Sequence, residues 1–337
     1  MTAAVDAKRL TVLVGQFSSK RILVIGDLML DEYLWGKVSR ISPEAPVPVV
    51  DVARESYFPG GAANVARNVR EFTPHTMALG RAGSDRYGCQ LLELLAACGI
   101  DTDGVQRDAA LSTTVKTRII ARNQQVVRVD RESRTPLTRA QEDDALSFLE
   151  SAIADLDAVI VADYGKGFLT QRFADGLCGI TRPAGSILTI DPHPYTTIHW
   201  SGATAIKPNR LEAFLAAGLA PADPVTPVLA DEALIEAGRR LMERWQPRDL
   251  LITLGEHGML LFGDPSGPLH IPTCARTVFD VSGAGDTAIA ILTLALASGA
   301  TALEAAHLAN VASGIVVGKL GTAAITPAEL ISGLTAD

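Results

Sequence analysis

The chain has 337 residues, 47% of them hydrophobic and 20% charged, enough apolar material for a sizeable core and too much for a disordered polypeptide. Lys plus Arg number 30 against 38 Asp plus Glu, a net charge of −8. That balance argues against general nucleic-acid binding while leaving room for a local basic pocket.

Lys20 and Arg21 precede an apolar, β-branched run at 22–25 closed by Gly26, the pattern of a strand buried on both faces of a parallel sheet. Asp27 and Asp31 follow at its carboxyl end, where open α/β sheets place ligands, so both are candidate binding residues. Between 33 and 57, short extended pieces flank a proline-rich turn at 42–46. Proline excludes a central strand and suits a projecting flap, to be read as a lid, a dimer surface or an ordinary long loop. Gly60 and Gly61 open a small-residue helix carrying Asn64, whose amide can both donate to and accept from sugar hydroxyls. Close helix–sheet packing would use the same small residues.

Residues 77–80 read as strand and 87–98 as an amphipathic helix stopped by Gly99. Extended segments at 114–122 and 125–130 bracket a turn at Asn123-Gln124 and are expected to join the flap in one lid sheet. Their Arg118, Arg122 and Arg128 can meet a phosphate or stay solvated. From 138 the rhythm is βα: helix 138–153, strand 157–162 running into the loop Asp163 to Gly167, helix 170–180, and strand 186–190 ending at Asp191. Asn209 and Glu212 stand three apart at a helix start, the spacing of a capping box and equally of a pair holding hydrated Mg²⁺. Helix 229–245 leads to strand 249–254, then a turn with Gly255 and Gly258 and a strand at 259–262. A helix at 302–320 carries Asn310 among small residues, a surface against which a flat base can lie.

The stretch 278–287 contains Gly283-Ala284-Gly285-Asp286 ahead of an apolar helix. Small residues at a helix mouth let backbone N–H groups converge on an anion at the positive end of the dipole. A carboxylate one residue further on can take a proton from an attacking hydroxyl, and the pair is the minimum equipment for phosphoryl transfer. Alone, such a tetrapeptide is better explained by loop shape and helix capping; the repeated glycine-bearing strand ends point instead to one ligand crevice. The reading is a single α/β domain over 20–330, with residues 1–19 as an N-terminal extension and lid segments at about 33–57 and 112–130. Cys89, Cys98, Cys178 and Cys274 show no CxxC or metal spacing and are expected to be buried free thiols in a reducing compartment. Residues 1–17 lack signal-peptide character, and the apolar run 287–297 is too short for a bilayer, so a soluble cytoplasmic protein without a membrane partner is expected.

With Gly60 to Asn64, Asn209…Glu212 and Asp280…Asp286 in that order, the chain resembles the ribokinase (PfkB) family of sugar kinases over residues 20–325. The resemblance implies a three-layer sandwich with a mostly parallel central sheet and a small β lid. The runs 24–33, 42–49 and 162–167 are similar to the branch of that family acting on D-glycero-β-D-manno-heptose 7-phosphate. This implies ATP-dependent phosphorylation at C1 to the 1,7-bisphosphate, on the route to the lipopolysaccharide core. By the same resemblance Asp286 is the catalytic base and Gly283, Ala284 and Gly285 are the anion hole. Asp27, Asp31, Gly60, Gly61, Asn64, Arg118 and Arg128 belong to the sugar site, with Asp163 and Lys166 beside the sugar phosphate. Lys207, Asn209, Glu212, Thr253, Gly255, Gly258 and Asn310 serve ATP, Asn209 and Glu212 also Mg²⁺ through water. Asp280 and Ser282 lie where many relatives bind a monovalent cation such as K⁺, Ser282 replacing a frequent Thr. A homodimer through the lid is implied. None of the six histidines supplies the H-x-G-H motif of the nucleotidyltransferase often fused to such kinases, so a stand-alone kinase is expected. The rival readings are a kinase of the same fold for another sugar or sugar phosphate and a catalytically silent sugar-binding regulator. A nicotinamide dehydrogenase would need a G-x-G-x-x-G after the first strand, and Gly26 is not followed by one.

Overall fold

The computed structural model describes residues 5–122, 124–195, 197–275, 279–319 and 323–335. The first half of the chain forms α1 (Ala7–Gly15), β1 (Ile22–Gly26), β2 (Leu28–Ile41), β3 (Pro48–Gly61), α2 (Ala62–Arg70), β4 (Thr76–Gly83), α3 (Arg86–Ala97), β5 (Asp101–Asp108), β6 (Thr114–Ala121), β7 (Gln124–Arg131) and α4 (Arg139–Ala152). The second half forms β8 (Ala158–Ala162), α5 (Gln171–Ala184), β9 (Ile187–Asp191), β10 (Ala205–Ile206), α6 (Arg210–Ala216), α7 (Glu232–Trp245), β11 (Asp249–Thr253), β12 (Met259–Phe262), β13 (Leu269–Ile271), α8 (Ala284–Ala297), α9 (Ala302–Val316) and α10 (Pro327–Thr335).

Strand β1 shows why the layers form. Its side chains alternate between two separate apolar clusters: Ile22 and Val24 point to one, Leu23 and Ile25 to the other. The first cluster takes in α1, α2, α3, α8, α9 and α10, the second α4 to α7, so helices cover both sheet faces. Helix α8, buried from Thr287 through Leu296, is apolar around its whole circumference and runs through the middle of its layer. The central sheet has nine strands in the order β13-β12-β11-β10-β9-β8-β1-β4-β5, parallel except for the β11-β12-β13 meander. Strand order reverses between β8 and β1, and the carboxyl ends of these two strands open onto the crevice that such a switch creates.

The second sheet, in the order β3-β2-β6-β7, is the lid; β2 and β6 pair parallel and the outer pairs antiparallel. It has no linker to the body. Strand β2 starts two residues after β1 ends, so one continuous extended segment leaves the central sheet and enters the lid. Gly26 makes that hand-off, with φ +151° and its Cα packed against the Ala162 carbonyl. Its root is buried (Leu28 to Tyr33) and its outer half is not.

Several sequence expectations change here. The lid strands run to Leu28 and Gly61, beyond the 33–57 read from the proline pattern. Within the expected N-terminal extension, Leu10, Leu13, Val14 and Phe17 are buried in the first cluster. Strand β5, Asp101–Asp108, was not foreseen; it is a polar edge strand, and its charges blunt an exposed edge. All four cysteines are free, but only Cys178 is buried. Cys89 lies on the side of α3 away from the buried Leu91 and Leu95, and Cys274 sits in the loop after β13. Asn123, Val278 and Leu320, on which part of the expected turn, central stretch and last helix fall, lie outside the described residues. Among the described residues no helix is long and apolar enough to cross a membrane.

A Cβ at position 26 would stand 2.0 Å from the Ala162 carbonyl oxygen. Gly26→Ala should therefore cost roughly 2–4 kcal/mol in urea unfolding. Gly179, inside α5 with nothing within 4 Å of a built Cβ, is the control: Gly179→Ala should stabilise by up to about 1 kcal/mol.

Candidate active site

The crevice is shaped first by Asp27, directly beyond β1. Its buried carboxylate accepts the backbone N–H groups of Tyr164 and Lys166 at Oδ2 and of Phe168 at Oδ1, each at 3.0 Å. These three bonds fold the loop after β8 over the end of β1. Asp27 thus spends its acceptors on the protein backbone, and its place in the sugar site is that of the loop's anchor. Asp163, also buried, closes a turn by accepting Gly165 N–H at 2.9 Å.

The loop delivers Tyr164 to Asp286. The tyrosine hydroxyl donates to Asp286 Oδ1 at 2.5 Å, and Asn64 Nδ2 donates to Oδ2 at 2.6 Å. Asn64 is fixed by a buried polar bridge between α2 and α8, in which Asn68 Nδ2 donates to the Asn64 carbonyl and the Thr287 hydroxyl donates to Asn68 Oδ1. Asn64 Oδ1 is buried without a hydrogen-bond partner among the described residues. Gly61, the N-cap of α2 at φ +57°, has no room for a side chain, since a Cβ would meet the Asp27 carbonyl oxygen at 2.6 Å. Asp286 lies in the first turn of α8, whose N-cap is Gly283 at φ +81°. Burial pushes the Asp286 carboxyl up to about 6, against the Tyr164 and Asn64 hydrogen bonds that hold it down. Burial and the neighbouring Asp286 carboxylate in turn push the Tyr164 hydroxyl well above its ordinary value.

On one side of Asp286 is an acidic group around a single cation. Lys207 Nζ is buried and pairs with Asp191 Oδ1 at 3.0 Å; burial opposes its charge, and Asp191 holds it protonated. A Cβ on Gly285 would lie 3.7 Å from that ammonium. Asn209 and Glu212 form the capping box of α6: Glu212 N–H donates to Asn209 Oδ1 at 2.9 Å, and Asn209 N–H donates to Glu212 Oε2 at 2.7 Å. Burial, with Asp191 beside it, pushes the Glu212 carboxyl up to about 7 against the Lys207 ammonium and the Asn209 N–H, which hold it down. Next to this group opens a cleft of about 580 Å³, lined among others by Thr253, Gly255, Gly258, Ala284, Gly285 and Asn310. The Asn310 amide is spent on the Pro272 carbonyl at 2.6 Å and on Cys274 Sγ at 3.3 Å, so it pins the cleft's rim loop. Asp280 Oδ1 accepts Ser282 N–H at 2.9 Å in the turn leading to Gly283.

On the other side, beneath the lid, charges are paired. Asp31 and Arg118 form an ion pair at 2.7 Å. Burial disfavours the Arg118 charge, and Asp31 more than offsets it, holding the guanidinium above its usual value. Gly60 is small because its Cβ would press on the Asp31 carboxyl at 3.0–3.2 Å. Arg128 forks onto Asp130 at 2.8 and 2.9 Å. Lys166 reaches Glu132 at 2.7 Å. The structure thus brings Asn64 onto Asp286 and Arg118 onto Asp31 and lines the neighbouring cleft with Thr253, Gly255, Gly258, Gly285 and Asn310. Asp27, Asn209 and Asn310 are engaged in holding the protein itself, and Arg128 pairs within its own strand. Tyr164, Asp191, Glu132 and Lys116 were not singled out from sequence. Tyr164 lies two residues past β8 and Asp191 is the last residue of β9, positions at strand carboxyl ends that could have flagged them; nothing local marks Glu132 or Lys116.

The Asp286 carboxyl binds its proton more tightly folded, at about 6, than at its ordinary value of 3.8. Its contribution to stability is therefore best below about 4 and is lost as pH rises through about 6. Asp286→Asn removes that penalty. Its unfolding free energy relative to the parent, read from urea melts, should be higher at pH 8 than at pH 5 by on the order of 1–3 kcal/mol. An equal effect at both pH values would show that Asp286 is not a strained carboxylate.

A model of the pfkB family carbohydrate kinases matches residues 19–329. The chain is 44% identical over 329 residues to the Bifunctional protein HldE of Pelobacter propionicus and 43% identical over 330 residues to that of Geobacter metallireducens. Each match covers 98% of this chain and 66% of the relative, so the chain spans about two thirds of those proteins' length. Among solved structures, Arabidopsis thaliana ribokinase complexed with ribose and ATP superposes with a TM-score of 0.72 at 17% identity, covering 94% of this chain and 99% of that one. Escherichia coli phosphofructokinase-2 in complex with potassium gives 0.70 at 17% identity, over 94% and 99%. The fold is ribokinase-like, and the chain belongs to the pfkB family of carbohydrate kinases.

Proposed function

We propose that this sugar kinase transfers the γ-phosphoryl group of ATP to the anomeric C1 hydroxyl of D-glycero-β-D-manno-heptose 7-phosphate, giving the 1,7-bisphosphate on the route to the lipopolysaccharide core. The observation that carries the chemistry is the placement of Asp286, at the first turn of α8, between the 580 Å³ cleft and the charged crevice under the lid. Its carboxyl, raised to about 6, is basic enough to take a hydroxyl proton and still ionised at neutral pH. The choice of sugar rests on the runs 24–33, 42–49 and 162–167 and on relatives above 40% identity.

In this reading Asn64 and Tyr164 orient the Asp286 carboxylate, one of the two yielding its oxygen to the sugar hydroxyl. Asp31, Gly60, Gly61, Asn64, Arg118 and Arg128 form the sugar side, and the unpartnered Asn64 Oδ1 is free to accept from a hydroxyl. Backbone N–H groups of Gly283, Ala284 and Gly285, with Lys207 behind them, stabilise charge on the transferring group. Thr253, Gly255, Gly258 and Asn310 border the nucleotide cleft. The carboxyls of Asp191 and Glu212, which share the one Lys207 ammonium, fit Mg²⁺, and because Glu212 Oε2 is held by its own helix cap, contact through water suits Glu212 better than direct ligation. Bound there, Mg²⁺ would neutralise charge on the ATP phosphates. Asp280 and Ser282 are assigned to a monovalent cation. A homodimer through the lid is supported by its exposed Ile41, Val52, Val127 and Val129.

The test is ADP release across sugars with and without a 7-phosphate, run beside Asp286→Asn. Turnover confined to heptose 7-phosphate, and lowered about 10²- to 10⁴-fold in the variant, is expected. The acid limb of kcat/KM should lie near the Asp286 value of about 6. Equal turnover on unphosphorylated hexoses would move the enzyme to another substrate, and near-normal turnover of Asp286→Asn would remove the base.

A further inference from the structure

Glu132, one residue past β7, is held by cations from three segments. Lys166 Nζ lies 2.7 Å and Lys116 Nζ 3.2 Å from the same oxygen, Oε1, while Arg134 Nη2 lies 3.3 Å from Oε2. Lys116 belongs to lid strand β6 and Lys166 to the body loop anchored on Asp27, so the carboxylate joins lid to body. Burial alone would raise the Glu132 carboxyl; its two lysines hold it at about 2. Lys116 also touches Asp130 at 3.4 Å. The lysine side chains are 20% and 12% exposed and that of Arg134 is 73% exposed, so two cations face inward and one faces solvent. The loop that carries Lys166 also carries Tyr164, whose hydroxyl rests on Asp286. Lys116 also stands opposite Asp31 in the β2–β6 pairing, so the lysine pair borders the sugar side of the crevice.

We propose that Glu132 is a stand-in for the phosphate of a sugar phosphomonoester, which takes its place between Lys116 and Lys166 when the acceptor hydroxyl lies at Asp286. A phosphomonoester brings about −1.5 to −2 charge and three acceptor oxygens, where Glu132 brings one negative charge and shares a single oxygen. The displaced carboxylate keeps Arg134 as its partner and moves with it toward solvent. A neutral sugar offers nothing to exchange and leaves the clasp closed, so selectivity for the phosphorylated substrate comes from ion-pair exchange between lid and body. The inference rests on the Asp286 crevice being the sugar site; to the Lys166 that the family resemblance places beside the sugar phosphate it adds Lys116 and the exchange with Glu132.

The test needs no turnover: calorimetric titration of the full chain with inorganic phosphate. Glu132→Gln should tighten phosphate binding about tenfold by releasing both lysines, whereas Lys166→Met and Lys116→Met should each weaken it about tenfold or more. In turnover, Glu132→Gln should lower KM for a phosphorylated sugar and leave that for its unphosphorylated counterpart unchanged. Phosphate affinity unchanged by all three substitutions, including the case in which phosphate binds only at the Gly283–Gly285 loop, overturns the inference. Asp286→Asn should bind phosphate like the parent. If that variant retained turnover, the base assignment would fail while the lysine result stood, so the two failures are told apart.

Discussion

One buried carboxylate organises the crevice. Asp27 stands where β1 ends and β2 begins, and it satisfies three backbone N–H groups of the loop that follows β8. Hydrogen bonds to an ionised acceptor contribute about 1.5–3 kcal/mol each, and a tight loop over a sheet end has few other partners to offer its amides. Because these bonds fix the loop's path, they also fix what its side chains reach: Tyr164 turns to Asp286 and Lys166 to Glu132. The helix-mouth acid, the lid's ion pairs and the sheet's switch point are thereby referred to one atom pair.

The crevice is electrically divided. Around Lys207, the carboxyls of Asp191, Glu212 and Asp286 outnumber that ammonium among the described residues, and burial, with Asp191 adding to it, makes both Glu212 and Asp286 hold protons more tightly than usual. Under the lid, Lys116, Arg118, Arg128 and Lys166 alternate with Asp31, Asp130 and Glu132, and Glu132 responds in the opposite sense. A chain of net charge −8 thus sets a carboxyl-rich region beside one where cations and carboxylates alternate, which fits the proposed division between a metal–nucleotide and a phosphorylated acceptor.

What was readable in the sequence depended on range. The buried strands β1, β8 and β11 announce themselves because both faces are apolar, whereas the Gly-Ala-Gly-Asp run gains its meaning only beside the other glycine-bearing strand ends and the ordered set of motifs. The capping spacing of Asn209 and Glu212 was legible with two meanings; the box forms, and the raised Glu212 carboxyl keeps the second meaning open beside it. Asp27 looked like a ligand residue because its true partners lie 137 to 141 positions away. Glu132 and Lys116 sit in strands and turns of mixed charge, where a solvated residue and a clasped one look alike until the lid sheet is assembled. Strand β5 escaped notice for a related reason: an edge strand rich in aspartate lacks the apolar alternation that marks a half-buried one.

The continuity of β1 into β2 has a mechanical consequence. The β2–β3 ribbon of the lid is rooted at two adjacent points, Gly26-Asp27 on the way out and Gly60-Gly61 on the way back, where β3 returns opposite Leu28 and Met29, and β6 and β7 join the body close by at Thr114 and Arg131. At about 3.3 Å per residue, Asp31 stands about 13 Å of strand from Asp27 and Ile41 about 45 Å. Any tilt of the ribbon about its root therefore sweeps the tip more than three times as far as it moves Asp31. The lid behaves as a long lever with its fulcrum inside the crevice, so its outer end can swing widely while the residues nearest the reacting carboxylate keep their register.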